Sequence, residues 1–144
     1  MADLPALFEH QADPESVKMA VVFPRDAEAF TAHWTKILAD PSIVARTIIA
    51  DDALAGSVSC FEMDGLRSVG YWIAREHWGR GIATRALALL LAEIPQRPLH
   101  ARVARSNAAS IRVLEKNGFA VTAYRVSPAD GRFPECEEAI LVLP

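Results

Sequence analysis

The sequence predicts an α/β fold, a mixed sheet with helices packed on it. Three observations carry this prediction. Hairpin-forming strands in the first half give way to a β-α-β-α-β order in the second. Asp64-Gly65 sits between two strand-like runs, a strong two-residue hairpin signal. A glycine-flanked turn, "WGRG" at 78–81, opens a long apolar helical stretch.

The elements follow in order. "PESVKMAVVF" and "DAEAFTAHWTKILAD" read as helices, the second capped by Asp26 and ended before Pro41. "ARTIIAD" and "AGSVSCFEMD" read as strands joined by a turn at residues 51–53, and the Asp64-Gly65 turn leads into "RSVGYWIA". In "ATRALALLLAEI", residues Ala83, Ala86, Leu87, Leu90 and Ile94 recur at helical spacing, so that face should lie on the sheet. The strand "PLHARVA", the helix "NAASIRVLEKNG" and the strands "FAVTAYRV" and "CEEAILVL" complete the chain. A turn-rich loop, "SPADGRFPE", separates the last two.

The 144 residues have the length of one ordinary domain, taken as residues 1–144, and the charged share of 23% is that of a globular protein. No apolar run approaches a membrane span, because Thr84 and Arg85 interrupt the longest candidate. The acidic start, "MADLPALFEHQADPE", lacks the basic-then-apolar order of a secretion signal. Cys60 and Cys136 show no CxxC spacing, which fits reduced thiols in a cytoplasmic protein. His10, His33, His77 and His100 have no metal-ligand spacing, so no metal is expected.

Charge is distributed unevenly. Residues 75–116 hold eight basic and three acidic side chains, a net of +5, which leaves −8 on the rest of a chain whose total is −3. This suits a small polyanion on one part and a cationic partner on the other. The negative total and the lack of an aromatic-basic platform argue against nucleic acid.

The glycine turn admits two readings. A strand entering a helix through such a turn leaves unpaired N–H groups at the positive helix end, ready for an anion. Equally, the glycines can serve turn geometry alone. A P-loop is excluded because no GxxxxGK[ST] occurs, and the dinucleotide fingerprint because Gly79 and Gly81 supply only two of its glycines.

A second motif decides between them. In "RVARSNAASIRVLEKNGF", Asn107 is a natural N-cap and Gly118 a helix-ending glycine. A GxG turn followed after one strand by N-x-x-S-x-x-x-L-E-K-x-G-F resembles the GCN5-related N-acetyltransferase (GNAT) superfamily. It is most similar to the branch acetylating ribosomal-protein N-termini. The core of the likeness spans about residues 68–126.

The resemblance implies a mixed, mostly antiparallel, splayed sheet flanked by about four helices. The family's usual first strand is not evident in "MADLPALFEHQ", so the sheet is expected one strand short, its edge free or filled by a second subunit of a homodimer. Acetyl-coenzyme A is the implied co-substrate and a primary amine the acceptor, whether a protein N-terminus or a small cationic molecule. By position, the backbone of Trp78, Gly79, Arg80, Gly81, Ile82, Ala83 and Thr84 would cradle the pyrophosphate, with Arg80 near its charge. Tyr71, Trp72 and Ile73 would pair with the pantetheine arm, and the Ile73 or Ala74 amide would polarise the thioester carbonyl. Asn107 and Ser110 would contact the pantetheine and the thioester end. Glu76 stands where the family usually has a glutamine or arginine.

Leu114 occupies the position where many family members carry a tyrosine acid. Ser110 is the replacement candidate for protonating the thiolate, and Tyr124 the second. For the base, Glu62, Glu76 and Asp130 are available and none stands out. Trp34 and Trp72 read as core aromatics, and Trp78 as a prop for the glycine turn. A non-catalytic acyl-CoA-binding or sensing domain is the alternative from another class.

Overall fold

The computed structural model describes residues 2–144. Three helices come first: α1 (Leu4–Ala12), α2 (Pro14–Ala20) and α3 (Ala27–Ala39). Strands β1 (Val44–Ala50), β2 (Ala53–Met63) and β3 (Leu66–Ile73) follow, then a single 3-10 turn over Arg75–His77. The second half comprises α4 (Ile82–Glu93), β4 (Leu99–Ala104), α5 (Ala108–Lys116), β5 (Ala120–Ser127) and β6 (Cys136–Leu143).

Helix α1 is a fifth helix where about four were expected. Asp3 makes no side-chain cap there, and the helix is held by tertiary contacts instead. Leu7 is buried, the Phe8 ring meets Phe30 edge-on at 5.3 Å, and the Trp72 indole donates to the His10 carbonyl at 3.0 Å. Asp13 and Asp26 cap α2 and α3 by accepting from the Ser16 and Ala29 amides. Helix α2 stops three residues earlier than the sequence predicts, at Val21, a β-branched residue in the left-handed region (φ 55°).

The sheet order is β1-β2-β3-β4-β6-β5, and every neighbouring pair is antiparallel except β3–β4. Both hairpin turns in the first half use positive φ at two residues, Asp51-Asp52 and Asp64-Gly65, which matches the twist of the strands they join. The parallel pair touches at one bridge only, Ser68 to His100. Beyond it β3 and β4 splay apart, as the resemblance implied. No strand among the described residues covers the outer edge of β1.

The core lies where α4 and α5 meet the sheet. Leu87, Leu90, Leu99, Leu114 and Leu141 are essentially excluded from solvent. The α4 face expected from spacing is buried at Ala86, Leu87, Leu90 and Ile94, while Ala83 is half-buried and Ile82 joins the core.

Candidate active site

The splay exposes the edge of β3 that would otherwise be paired. The Ala74 amide donates to the Ala55 carbonyl at 2.8 Å, which sets the phase of the β2–β3 ladder. Antiparallel alternation then turns Trp72 toward β2 and leaves the backbone groups of Tyr71 and Ile73 facing the gap. The Ile73 carbonyl is taken by the Trp78 indole N–H at 3.0 Å, so Trp78 does prop the loop against the end of β3.

The loop then makes its glycine turn. Gly79 and Gly81 have φ of 76° and 72°, and a Cβ on either would meet nothing within 4 Å. The glycines are therefore needed for left-handed backbone, not for room. Gly81 is the N-cap of α4, has no side chain to offer, and accepts only through its carbonyl from Arg85. The first-turn amides of Ile82, Ala83 and Thr84 have no partner within the helix and point outward at its positive end.

Across the gap, α5 presents its first turn. Asn107 accepts from the Ser110 amide at 3.2 Å and so caps the helix. The Tyr71 hydroxyl reaches over and meets the Ser110 hydroxyl in a short hydrogen bond, with the Ser110 carbonyl 3.2 Å away. Burial pushes the Tyr71 phenol up to about 12, although its bond to Ser110 works the other way, so it stays un-ionised at neutral pH. At the far end of α5, Asn117 donates to the Thr84 and Val113 carbonyls, which locks α5 to the first turn of α4.

These features enclose a cavity of about 390 Å³. Its wall includes Tyr71, Trp72, Ile73, Trp78, Gly79, Gly81, Ile82, Ala83, Thr84, Asn107 and Ser110. The remainder comes from Ser16, Met19 and Ala20 of α2, from His77, and from Ala109, Arg112, Val113 and Lys116 on α5. Sequence reasoning counted the two α5 cations in the basic segment without placing them. It named Tyr71 for its backbone and missed its hydroxyl, because the residue it touches is 39 positions away.

Four expected site residues lie elsewhere. Ala74 is buried and its amide is already used, so only Ile73 can offer an N–H to a carbonyl in the gap. Arg80 turns into a second hollow of about 580 Å³ between β1 and α4, where Arg46 and Arg85 also stand. Glu62 pairs with Arg67 toward the hairpin, four residues past the Val58 that opposes Tyr71, a strand distance of about 13 Å. Tyr124 is 48% exposed on β5, with the Arg105 guanidinium 3.9 Å from its ring centre. The other acids considered as bases do not line the cavity. The Asp130 carboxylate accepts from the Arg132 and Phe133 amides at 2.7 Å, and Glu76 is exposed in the 3-10 turn. Leu114, at the position of the family tyrosine, is 1% exposed in the core. Among the described residues, His77 is the wall's only imidazole, and no carboxylate lines it. The His77 Nδ1 is buried without a hydrogen-bond partner.

A family model described as an acetyltransferase (GNAT) domain matches residues 1–120. The chain belongs to the GNAT acetyltransferase family. This GNAT chain is 37% identical over 78 residues to YjcK of Bacillus subtilis strain 168, a protein named as an N-acetyltransferase. It is 31% identical over 67 residues to YdaF of the same strain, named as a ribosomal N-acetyltransferase. The matched stretches cover 49% and 44% of this chain but only 43% and 37% of those relatives. Among solved structures, spermidine N-acetyltransferase from Vibrio cholerae, in complex with CoA and spermine, superposes with a TM-score of 0.78. Identity is 18%, over 99% of this chain and 90% of that one. The aminoglycoside acetyltransferase AAC(6')-Ib, in complex with coenzyme A, gives a TM-score of 0.77 at 19% identity, over 98% and 88%. Likeness at this level establishes the fold. Among the described residues, no helix is long and apolar enough to cross a membrane, and no group of His, Cys, Asp or Glu side chains is arranged to hold a metal.

Proposed function

We propose that this GNAT chain moves an acetyl group from acetyl-coenzyme A to a primary amine. The observation that carries the reading is the continuity of the cavity, from the bare β3 edge to the open amides of the glycine turn. An extended molecule with an amide-bearing arm and a diphosphate has complementary partners along its whole length there. Acetyl-coenzyme A, when bound, supplies an acetyl thioester.

The residues divide the work. The Gly79–Thr84 backbone would hold the diphosphate, with Arg112 and Lys116 adding positive charge on the same wall. Tyr71 and Ile73 would pair with the pantetheine amides. The Ile73 N–H would donate to the thioester carbonyl as negative charge develops on it. Ser110 would donate to the sulfur as it leaves. Tyr71 would keep that serine hydroxyl oriented by donating to its oxygen. With its pKa about 12, the phenol serves as a fixed donor and not as a proton source that ends ionised. The proton lost by the amine equals the one gained by the thiolate, and His77 supplies the one imidazole among the described residues of the wall.

The test is release of free thiol from acetyl-coenzyme A, measured with and without a panel of primary amines. Amine-dependent release is expected. Ser110→Ala and Tyr71→Phe should each lower kcat by about 100- to 1,000-fold, the scale for losing one transition-state donor. The double variant should be no worse than the weaker single, because Tyr71 acts through Ser110. Tight coenzyme A binding with no amine-dependent release would mark an acyl-CoA-binding domain instead.

A further inference from the structure

A seam outside the cavity collects positive charge that no ion pair among the described residues neutralises. The loop between α2 and α3 meets the β5–β6 loop there. The Phe23 amide donates to the Arg132 carbonyl at 2.7 Å, and the Arg132 guanidinium donates back to the Phe23 carbonyl. Arg25 lies two residues on, and α3 adds His33 and Lys36. Arg25, Lys36 and Arg132 stand close enough for their charges to act on His33, and Arg25 acts likewise on Arg132. Arg25, His33 and Arg132 are half-buried.

The local acids do not answer this charge. Asp26 caps α3 through the Ala29 amide, and Asp130 holds the Arg132 and Phe133 amides. Among the described residues, the ion pairs involve Arg46, Arg75, Arg102, Arg105 and Arg125, and none involves Arg25, Lys36, Arg132 or Glu28. Burial and the neighbouring cations push His33 down to about 4, so at neutral pH it is an uncharged ring among three cations. Partly desolvated like charges are costly unless an anion joins them.

The seam adjoins the cavity. Ala20 lines the cavity wall, and Phe23 is three residues further, at most about 11 Å along the chain. We infer that Arg25, His33, Lys36 and Arg132 form an anion site, and that the amine acceptor carries a carboxylate that docks there. An amino acid or a peptide C-terminus has that chemistry. This rests on the acetyl-transfer reading, and it reverses the cationic acceptor suggested by the acidic remainder of the chain. That remainder is a sum over the whole surface, whereas the seam is locally positive.

The probes are N-acetylglycine and its methylamide, followed by NMR of the His33 ring in the full-length protein, with coenzyme A titrated separately. N-acetylglycine should shift the His33 signals and bind at least tenfold more tightly than the methylamide. Arg25→Gln and Arg132→Gln should each remove that preference and leave coenzyme A affinity unchanged. Among the described residues Arg25 makes no side-chain hydrogen bond, so its variant stays informative even where loss of the Arg132–Phe23 tie loosens the fold. In turnover, dipeptides with a free C-terminus should exceed their C-terminal amides in kcat/KM by a similar factor. Equal binding of acid and amide, tighter binding of inorganic phosphate than of N-acetylglycine, or faster turnover of polyamines than of dipeptides would each overturn the inference. If N-acetylglycine binds and coenzyme A does not, acetyl transfer and the acceptor role fall while the anion site stands. The converse sinks the anion site alone.

Discussion

Gly81→Glu is expected to raise the dissociation constant for coenzyme A by about two orders of magnitude without unfolding the protein. The magnitude follows from a carboxylate placed about 5 Å from a diphosphate, where repulsion at an effective dielectric near 20 is about 3 kcal/mol per charge pair. The protein should stay folded because a Cβ at Gly81 meets nothing within 4 Å. Its φ of 72° costs a side chain roughly 1–2 kcal/mol, however. Gly81→Gln separates the two effects, since glutamine meets the same backbone cost and adds no charge. Calorimetric titration should show a loss of only a few-fold for Gln, with similar melting temperatures for both variants. Equal loss of affinity in Gln and Glu would mean that the turn's shape, and not its charge, governs binding.

The second large effect is expected at Gly56, on the strand behind the β3 edge. An added Cβ there would lie 2.0 Å from the Trp72 carbonyl oxygen and 3.1 Å from the Ile73 Cα. Both neighbours are backbone, so no side chain can swing away. Gly56→Ala must therefore push β2 and β3 apart where Gly56 opposes Ile73. A cost of about 3 kcal/mol is expected, the upper range for forcing atoms into a packed interior. Melting should fall by roughly 9 °C for a chain of this size. If the Ile73 amide meets the thioester carbonyl as proposed, acetyl-coenzyme A binding should weaken in the same variant even at temperatures where it is folded. A melting temperature within 2 °C of the unsubstituted protein, measured by calorimetry, would contradict this account of the pairing.

Several parts of this architecture were legible in the sequence because one residue's chemistry forced them. Only glycine enters left-handed backbone cheaply, so Gly79 and Gly81 announced a special turn before α4. Asp26 and Asn107 cap by accepting one backbone amide each through the side chain, a purely local event. The buried face of α4 was visible as apolar residues three and four apart. Other parts depend on contacts between distant segments. Helix α1 has no side-chain cap, only a proline in its first turn marks it locally, and it relies on Phe30 and Trp72. The Tyr71–Ser110 contact exists only because β3 and β4 part after one bridge. Arg80 shows the limit from the other side. Its flanking glycines set the backbone path, but the direction of its side chain is decided by α4 and β1, which turn it into the second hollow.

The single bridge between β3 and β4 also bears on how the sheet protects its own backbone. The middle strands of a sheet ordinarily hold the amides that exchange most slowly with solvent deuterium. Here the Tyr71 and Ile73 amides sit in a middle strand yet face a gap, while Trp72 between them is tied to β2. Fast and slow exchange should alternate residue by residue along β3, a pattern typical of a sheet's rim appearing at its centre. Anything that fills the gap would act as the missing strand, and its arrival would be recorded as the silencing of two amides.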